Sequence, residues 1–223
     1  MPYGVFFDRR DAGRKLAERL GKYRGPNTIV LAIPRGGVVV GYEVAKALGV
    51  PLDVVIPRKI GAPGQPELGI GAVGENGVSV VDRDTIAYLG VSEEYIKEEA
   101  ERQRHEIERR WKVYRDNRPF PDIKGKTVIL VDDGIATGHT TIAAARVIRK
   151  KQPGRLVLAA PVAPADSLIR LRPEVDEIVV LETPEPFFAV GAWYEEFEQT
   201  TDEEVIELLR RAEEASSDCQ ADG

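Results

Sequence analysis

At 223 residues, with 43% hydrophobic and 30% charged positions, the chain suits one large α/β domain or two small ones, and its apolar content excludes disorder for the bulk of it. Thirty-one basic against 37 acidic residues give a formal charge of −6, which argues against a broad nucleic-acid or membrane face. One cysteine (Cys219) and two histidines (His105 and His139) exclude a disulfide framework and a Cys/His metal cluster; with no membrane-length apolar run and no signal-peptide pattern, a cytoplasmic protein is expected.

Leu16 and Leu20 on one face, with charged residues opposite, predict a helix over about 11–22. TIVLAI (28–33) reads as a buried strand that stops at Pro34-Arg35-Gly36-Gly37. Apolar positions 38, 39, 42, 45 and 48 predict a helix over 38–48, ended by Gly49 and Pro51, and LDVVIP (52–57) is a second buried strand. Strand, glycine turn, helix and strand make a βαβ unit, which implies parallel pairing and a right-handed crossover.

Residues 58–77 are rich in glycine (61, 64, 69, 71, 74, 77), which predicts a functional loop with room for a short hairpin; 78–81 is a brief strand. From Ser92 to about Asn117, the stripe Ile96/Ala100/Ile107/Trp111/Tyr114 predicts a long helix. Its pairs Glu93–Lys97, Glu98–Arg102, Glu106–Arg110 and Glu108–Lys112 favour a solvated face over a nucleic-acid one. Strands follow at 126–131, 155–163 and 177–181, with helices over 141–151 and 165–171. A final helix over 201–215 opens on Thr201 as its cap, and the polar tail beyond it is expected to fray. No internal repeat or linker divides the chain.

The densest chemistry lies in VILVDDGIATGHT (128–140). An apolar strand runs into two adjacent carboxylates, Asp132 and Asp133, and then into a small-residue turn that opens a helix. Amides at Thr137, Gly138, His139 and Thr140, aided by the helix dipole, suit a phosphate. The carboxylates can hold vicinal hydroxyls or a metal, or face a cationic centre. A phosphate beside two carboxylates suits a sugar phosphate better than a bare anion. Neither a Walker A spacing nor the G-x-G-x-x-G turn is present.

This segment resembles the signature that binds 5-phosphoribosyl 1-pyrophosphate (PRPP) in the type I phosphoribosyltransferases, and AIPRGGVVVGYEVA (32–45) resembles that family's pyrophosphate loop. The resemblance covers about residues 28–195. It implies a single α/β domain over 1–223 with a doubly wound, mostly parallel sheet flanked by helices. That family's core has no place for so long a helix, and its apolar stripe needs a partner, so residues 82–118 are expected to form an inserted helical hood with 186–212, packed over the acceptor site or against a second subunit of a homodimer. PRPP would be bound by Arg35, Gly36, Gly37, Arg58, Ala136, Thr137, Gly138, His139 and Thr140, while Lys59, Asp132 and Asp133 act in catalysis.

PFFAVGAWYEE (186–196) resembles the base-binding segment of the 6-oxopurine members; Phe188 would then stack on the acceptor and Ala189 offer backbone hydrogen bonds. Glu195 would join Asp132 and Asp133 around Mg²⁺. Two departures bear on the acceptor: Ala136 stands where the 6-oxopurine enzymes carry Asp, and 159–167 lacks their Lys. The implied reaction transfers the 5-phosphoribosyl group to a nitrogen of a planar heterocycle, with hypoxanthine and guanine poor acceptors. A PRPP-binding regulator without turnover is the alternative; the acidic chain shows no recognition helix.

Overall fold

Apolar strand segments whose successive side chains enter different layers build the centre of the molecule. The computed structural model describes residues 5–75, 79–116 and 118–221, with no side-chain detail for Glu67 and 217–221. Its strands are β1 (Thr28–Ala32), β2 (Leu52–Val54), β3 (Arg58–Ala62), β4 (Gln65–Val73), β5 (Ser79–Val81), β6 (Thr127–Val131), β7 (Arg155–Val162) and β8 (Glu177–Glu182). The helices are α1 (Arg9–Arg19), α2 (Gly36–Leu48), α3 (Arg83–Leu89), α4 (Glu93–Arg115), α5 (His139–Arg149), α6 (Ala165–Leu171) and α7 (Asp202–Ala221). Residues 76–78 of the expected loop and brief strand, Asn117 of the expected long helix, and residues 222–223 of the expected frayed tail lie outside the described residues.

Five strands form a parallel sheet in the order β2-β1-β6-β7-β8. Ile29, Leu31, Val128 and Leu130 face a layer that includes α5, whereas Val30, Ile129 and Val131 face α1 and α2. Covering on both faces is why these strands read as continuous apolar runs rather than alternating ones. The chain lays β2 on one side of β1 and β6 on the other. The order therefore reverses between β1 and β6, and a crevice opens at their C-terminal ends.

Local chemistry sets the helix ends. Asp8 accepts the Asp11 amide at 2.7 Å, so α1 begins earlier than its apolar spacing indicates. A Cβ on Gly13 would lie 2.9 Å from the Val40 carbonyl, so α1 and α2 cross in close contact. Thr201 Oγ1 accepts the Glu204 amide, the expected cap of α7, and that helix continues to Ala221 through the segment expected to fray.

The glycine-rich stretch differs most from its expectation. Instead of a long loop it forms a hairpin, β3–β4, joined by β5 into a three-stranded antiparallel sheet. The glycines here allow close strand approach. A Cβ on Gly61 would meet the Pro66 carbonyl at 2.6 Å, and one on Gly71 the Val80 carbonyl at 2.4 Å. This small sheet packs against α5 on one side and α4 on the other.

The apolar stripe of α4 meets that sheet and α7: Ile107 and Tyr114 join Val205, Leu208 and Leu209, while Ile96 and Ala100 border Ile60 and Ile70. Of the expected surface pairs on α4, Glu106–Arg110 forms, but Arg102 turns to Glu99. At the end of α4, Arg115 is 1% exposed and reaches Asp53 (3.0 Å), Glu75 (3.4 Å) and the Val54 carbonyl. Among the described residues, no helix is long and apolar enough to cross a membrane.

Candidate active site

Strand β6 ends in the crevice, and its next two residues are Asp132 and Asp133. Arg9 Nε donates to Asp133 Oδ2 at 2.7 Å, and the Asp133 amide donates to Asp132 Oδ1 at 2.9 Å. Burial first, and then the neighbouring charge of Asp133, push Asp132 well above the usual carboxylate range, with Arg9 opposing. The Tyr194 hydroxyl donates to the Asp133 carbonyl, fixing the main chain of the pair from behind.

The turn Pro34-Arg35-Gly36-Gly37 lies directly against these carboxylates. The Pro34–Arg35 peptide is cis. A Cβ on Gly36 would fall 1.9 Å from Asp133 Oδ2, and one on Gly37 would fall 3.1 Å from Asp132 Oδ1. Only glycine leaves room for both elements. With these residues at the start of α2, the Gly36 and Gly37 amides lie next to the acidic pair, while the Val38 amide donates to the Arg35 carbonyl.

A second helix start adjoins the pair. Gly138 caps α5 with φ +82°, and Ser167 and Arg170 of α6 donate to the carbonyls of Ala136 and Thr137. The carbonyls of the turn are thereby held toward α6. His139 is buried: its Nε2 lies 3.6 Å from Asp82, while its Nδ1 is buried without a hydrogen-bond partner. Burial pulls the His139 pKa below its ordinary value, against the carboxylate of Asp82.

A cavity of about 490 Å³ joins Arg35, Gly36, Arg58, Lys59, Asp132, Asp133 and Thr140, all expected from the sequence. Its lining adds Arg9, Phe197, Glu198, Gln199 and Thr200, none of them anticipated. Arg58 Nε donates to Gln103, and burial lowers the Arg58 pKa. Lys59 sits on β3, its stem over Gly69, so it projects from a paired strand at the head of the glycine-rich stretch. Two larger concavities, about 640 and 620 Å³, lie along α4 and between α3 and α4; they share no lining residue with this cavity.

Of the expected site residues, Gly37 and Ala136, Thr137, Gly138 and His139 flank the lining residues Gly36 and Thr140 without lining the cavity themselves, and three others stand apart from it. Phe188 is 73% exposed, Ala189 precedes a short 3-10 turn, and Glu195 is exposed, its amide donating to Phe6. Trp193 is buried in a cluster with Phe6, Val162 and Tyr194 and is not an open stacking face. Among the described residues, no three His, Cys, Asp or Glu side chains converge as a metal site, so Glu195 does not complete a set with Asp132 and Asp133. Hard carboxylate oxygens such as those of Asp132 and Asp133 are of the kind that suits Mg²⁺.

Arg9 is the main residue that motif reading misses. Its sequence signal is a cation in the first turn of a helix, where the macrodipole disfavours positive charge.

A family model described as phosphoribosyl transferase domain matches residues 8–195. A provisionally named phosphoribosyl transferase of Mycobacterium tuberculosis, found in two strains, is 45% identical over 208 residues, or 93% of this chain and 47% of the relative. The chain thus spans about half the length of the curated relatives it matches. TT1426 from Thermus thermophilus superposes with a TM-score of 0.76 at 46% identity, over 92% of this chain and 98% of that one. A hypothetical protein from Neisseria gonorrhoeae shares the fold at a TM-score of 0.51 and 15% identity, over 95% and 98% of the respective chains.

Proposed function

The chain belongs to the phosphoribosyl transferase domain family, and from that premise we propose that it moves the 5-phosphoribosyl group of PRPP to a nitrogen of a planar base, releasing pyrophosphate. One observation carries the reading: two glycine-bearing helix starts flank one acidic pair, and Gly36 of the first and Thr140 of the second line the same cavity as both carboxylates. A ligand with a phosphate, a ribose and a diphosphate matches that sequence of groups.

In this reading the amides of Ala136, Thr137, Gly138, His139 and Thr140 hold the 5′-phosphate. Asp132 and Asp133 accept from the ribose hydroxyls and oppose the positive charge that develops on the ring as the C1–oxygen bond breaks. The electron pair of that bond leaves on the pyrophosphate oxygen, and the added negative charge is stabilised by the Gly36 and Gly37 amides and by Arg35, Arg58 and Lys59. The acceptor nitrogen forms the new bond to C1 and yields its proton to solvent. When bound, Mg²⁺ supplies charge neutralisation at the diphosphate, and Asp132 and Asp133 are the residues that would hold it. A hood drawn from residues 82–118 with 186–212 would exclude water from this step.

Ala136 offers a methyl group where recognition of a 6-oxopurine needs a carboxylate, and residues 159–167 contain no Lys, so hypoxanthine and guanine are poor acceptors. Pyrophosphate release from Mg-PRPP, screened against purines, pyrimidines and small amines, tests the proposal. Acceptor-dependent release is expected. Tight PRPP binding with no release would identify a regulator instead, and no PRPP binding would refute the reading of the cavity.

A further inference from the structure

Arg9 is unusual on three independent grounds. It occupies the first turn of α1, where a cation is disfavoured by the helix dipole, so helix stability does not account for it. Its side chain is only 12% exposed, and such burial of a guanidinium is costly unless the charge is met. Every contact it makes belongs to the cavity wall. Nε donates to Asp133 Oδ2 at 2.7 Å, Nη1 donates to the Glu198 carbonyl at 2.6 Å, and the guanidinium lies 3.8 Å from the Phe197 ring centroid.

The surrounding chain is built to deliver this side chain. Phe6 is 1% exposed and stacks against Tyr194 with ring centroids 5.4 Å apart. Backbone bonds run from Phe6 to the Trp193 carbonyl, from Glu195 to the Phe6 carbonyl, and from Glu196 to the Phe7 carbonyl. The segment before α1 is thereby tied to 193–196, and Asp8 starts the helix immediately after it. Tyr194, from the same segment, holds the Asp133 carbonyl. Main chain and side chain of Asp133 are thus fixed from one clamp.

We propose that Arg9 is a positioning residue for Asp133, setting which carboxylate oxygen faces the ribose hydroxyls; this rests on the PRPP reading of the cavity. Nε occupies Oδ2, which leaves Oδ1 of Asp133 for the sugar. The planar fork, braced on Phe197 and the Glu198 carbonyl, holds Oδ2 beside Gly36 and so fixes the rotation of the carboxylate. Arg9 acts through Asp133 and not on the leaving group.

Calorimetric titration with three probes separates the possibilities: ribose 5-phosphate, Mg-pyrophosphate and Mg-PRPP. Arg9→Met keeps the apolar stem over Phe197 but removes the fork. It is expected to weaken ribose 5-phosphate and Mg-PRPP alike, by roughly tenfold to a hundredfold as for charge-assisted contacts, and to leave Mg-pyrophosphate within twofold. Arg9→Lys should recover part of the loss, and Arg9→Met should add little to Asp133→Asn. Weaker Mg-pyrophosphate with unchanged ribose 5-phosphate would overturn the proposal in favour of direct contact with the leaving group. Equal weakening of all three probes with a lowered melting temperature would reduce Arg9 to a structural role. A wild-type protein that binds none of the probes would instead refute the PRPP reading on which the proposal stands.

Discussion

A single methyl group at Gly36 is the sharpest probe of how the pyrophosphate turn and the acidic pair share space. A Cβ there would stand 1.9 Å from Asp133 Oδ2, 2.6 Å from Arg9 Nε and 2.7 Å from Asp133 Cγ. To restore ordinary contact at 3.4 Å, the carboxylate must retreat by about 1.5 Å (3.4 less 1.9), which breaks its 2.7 Å bond to Arg9. Overpacking of this kind costs roughly 1–3 kcal/mol. Part of the cost is returned, because alanine gains up to about 1 kcal/mol over glycine in a helix and Gly36 opens α2. Folding stability of Gly36→Ala should therefore fall by no more than about 3 kcal/mol. The displaced Asp133 should cost Mg-PRPP affinity between about fivefold and a hundredfold, the binding equivalent of the same energy. Isothermal titration beside thermal melting reads both quantities, and Gly21→Ala, where nothing lies within 4 Å of the new methyl, serves as control. Mg-PRPP affinity within twofold of wild type would refute the argument.

Other outcomes follow from particular contacts. Arg115→Met should destabilise the fold by roughly 3–5 kcal/mol in urea titration, since it leaves Glu75 buried beside Asp53 without its guanidinium; adding Glu75→Gln should recover part of that loss. His139 titrates below its ordinary value because it is buried, whereas the unfolded chain takes up the proton near pH 6.5. The unfolded state therefore binds more protons just below pH 6.5, so stability should rise as pH rises through that region. In His139→Gln the same melting series should lose that rise. Lys59→Ala should lower kcat for pyrophosphate release more than it raises KM for PRPP, because a group that meets the leaving charge is felt mainly in the transition state. A raised KM with intact kcat would make Lys59 a ground-state binding residue.

Much of the site was legible because it depends on short segments. Strand, acidic pair, small-residue turn and helix follow one another over 128–149, and each is set by neighbours within a few residues. The same holds for the turn at 34–37. The fate of residues 58–75 was not legible. Glycines at 61 and 71 look alike whether they serve a mobile loop or the close approach of a paired strand, and only the partners, Pro66 and Val80, separate the two. Motif resemblance points to Phe188 as the ring that faces the ligand and gives Phe197 no role. Packing turns the first to solvent and braces the second against Arg9.

By itself the sequence determined the parallel βαβ core, the two helix starts that suit anions and the carboxylates between them, since these rest on apolar periodicity and local backbone chemistry. Only the tertiary structure decided that a cation 124 residues upstream in the chain pairs with Asp133 and that the glycine-rich stretch pairs as a β-hairpin. It decided too that the wall of the cavity is 197–200 and not 188–189. The physical reason is range. Helix periods and turn preferences act over a few residues, whereas the pairing of Arg9 with Asp133 exists only once α1, β6 and the 193–196 segment have packed together.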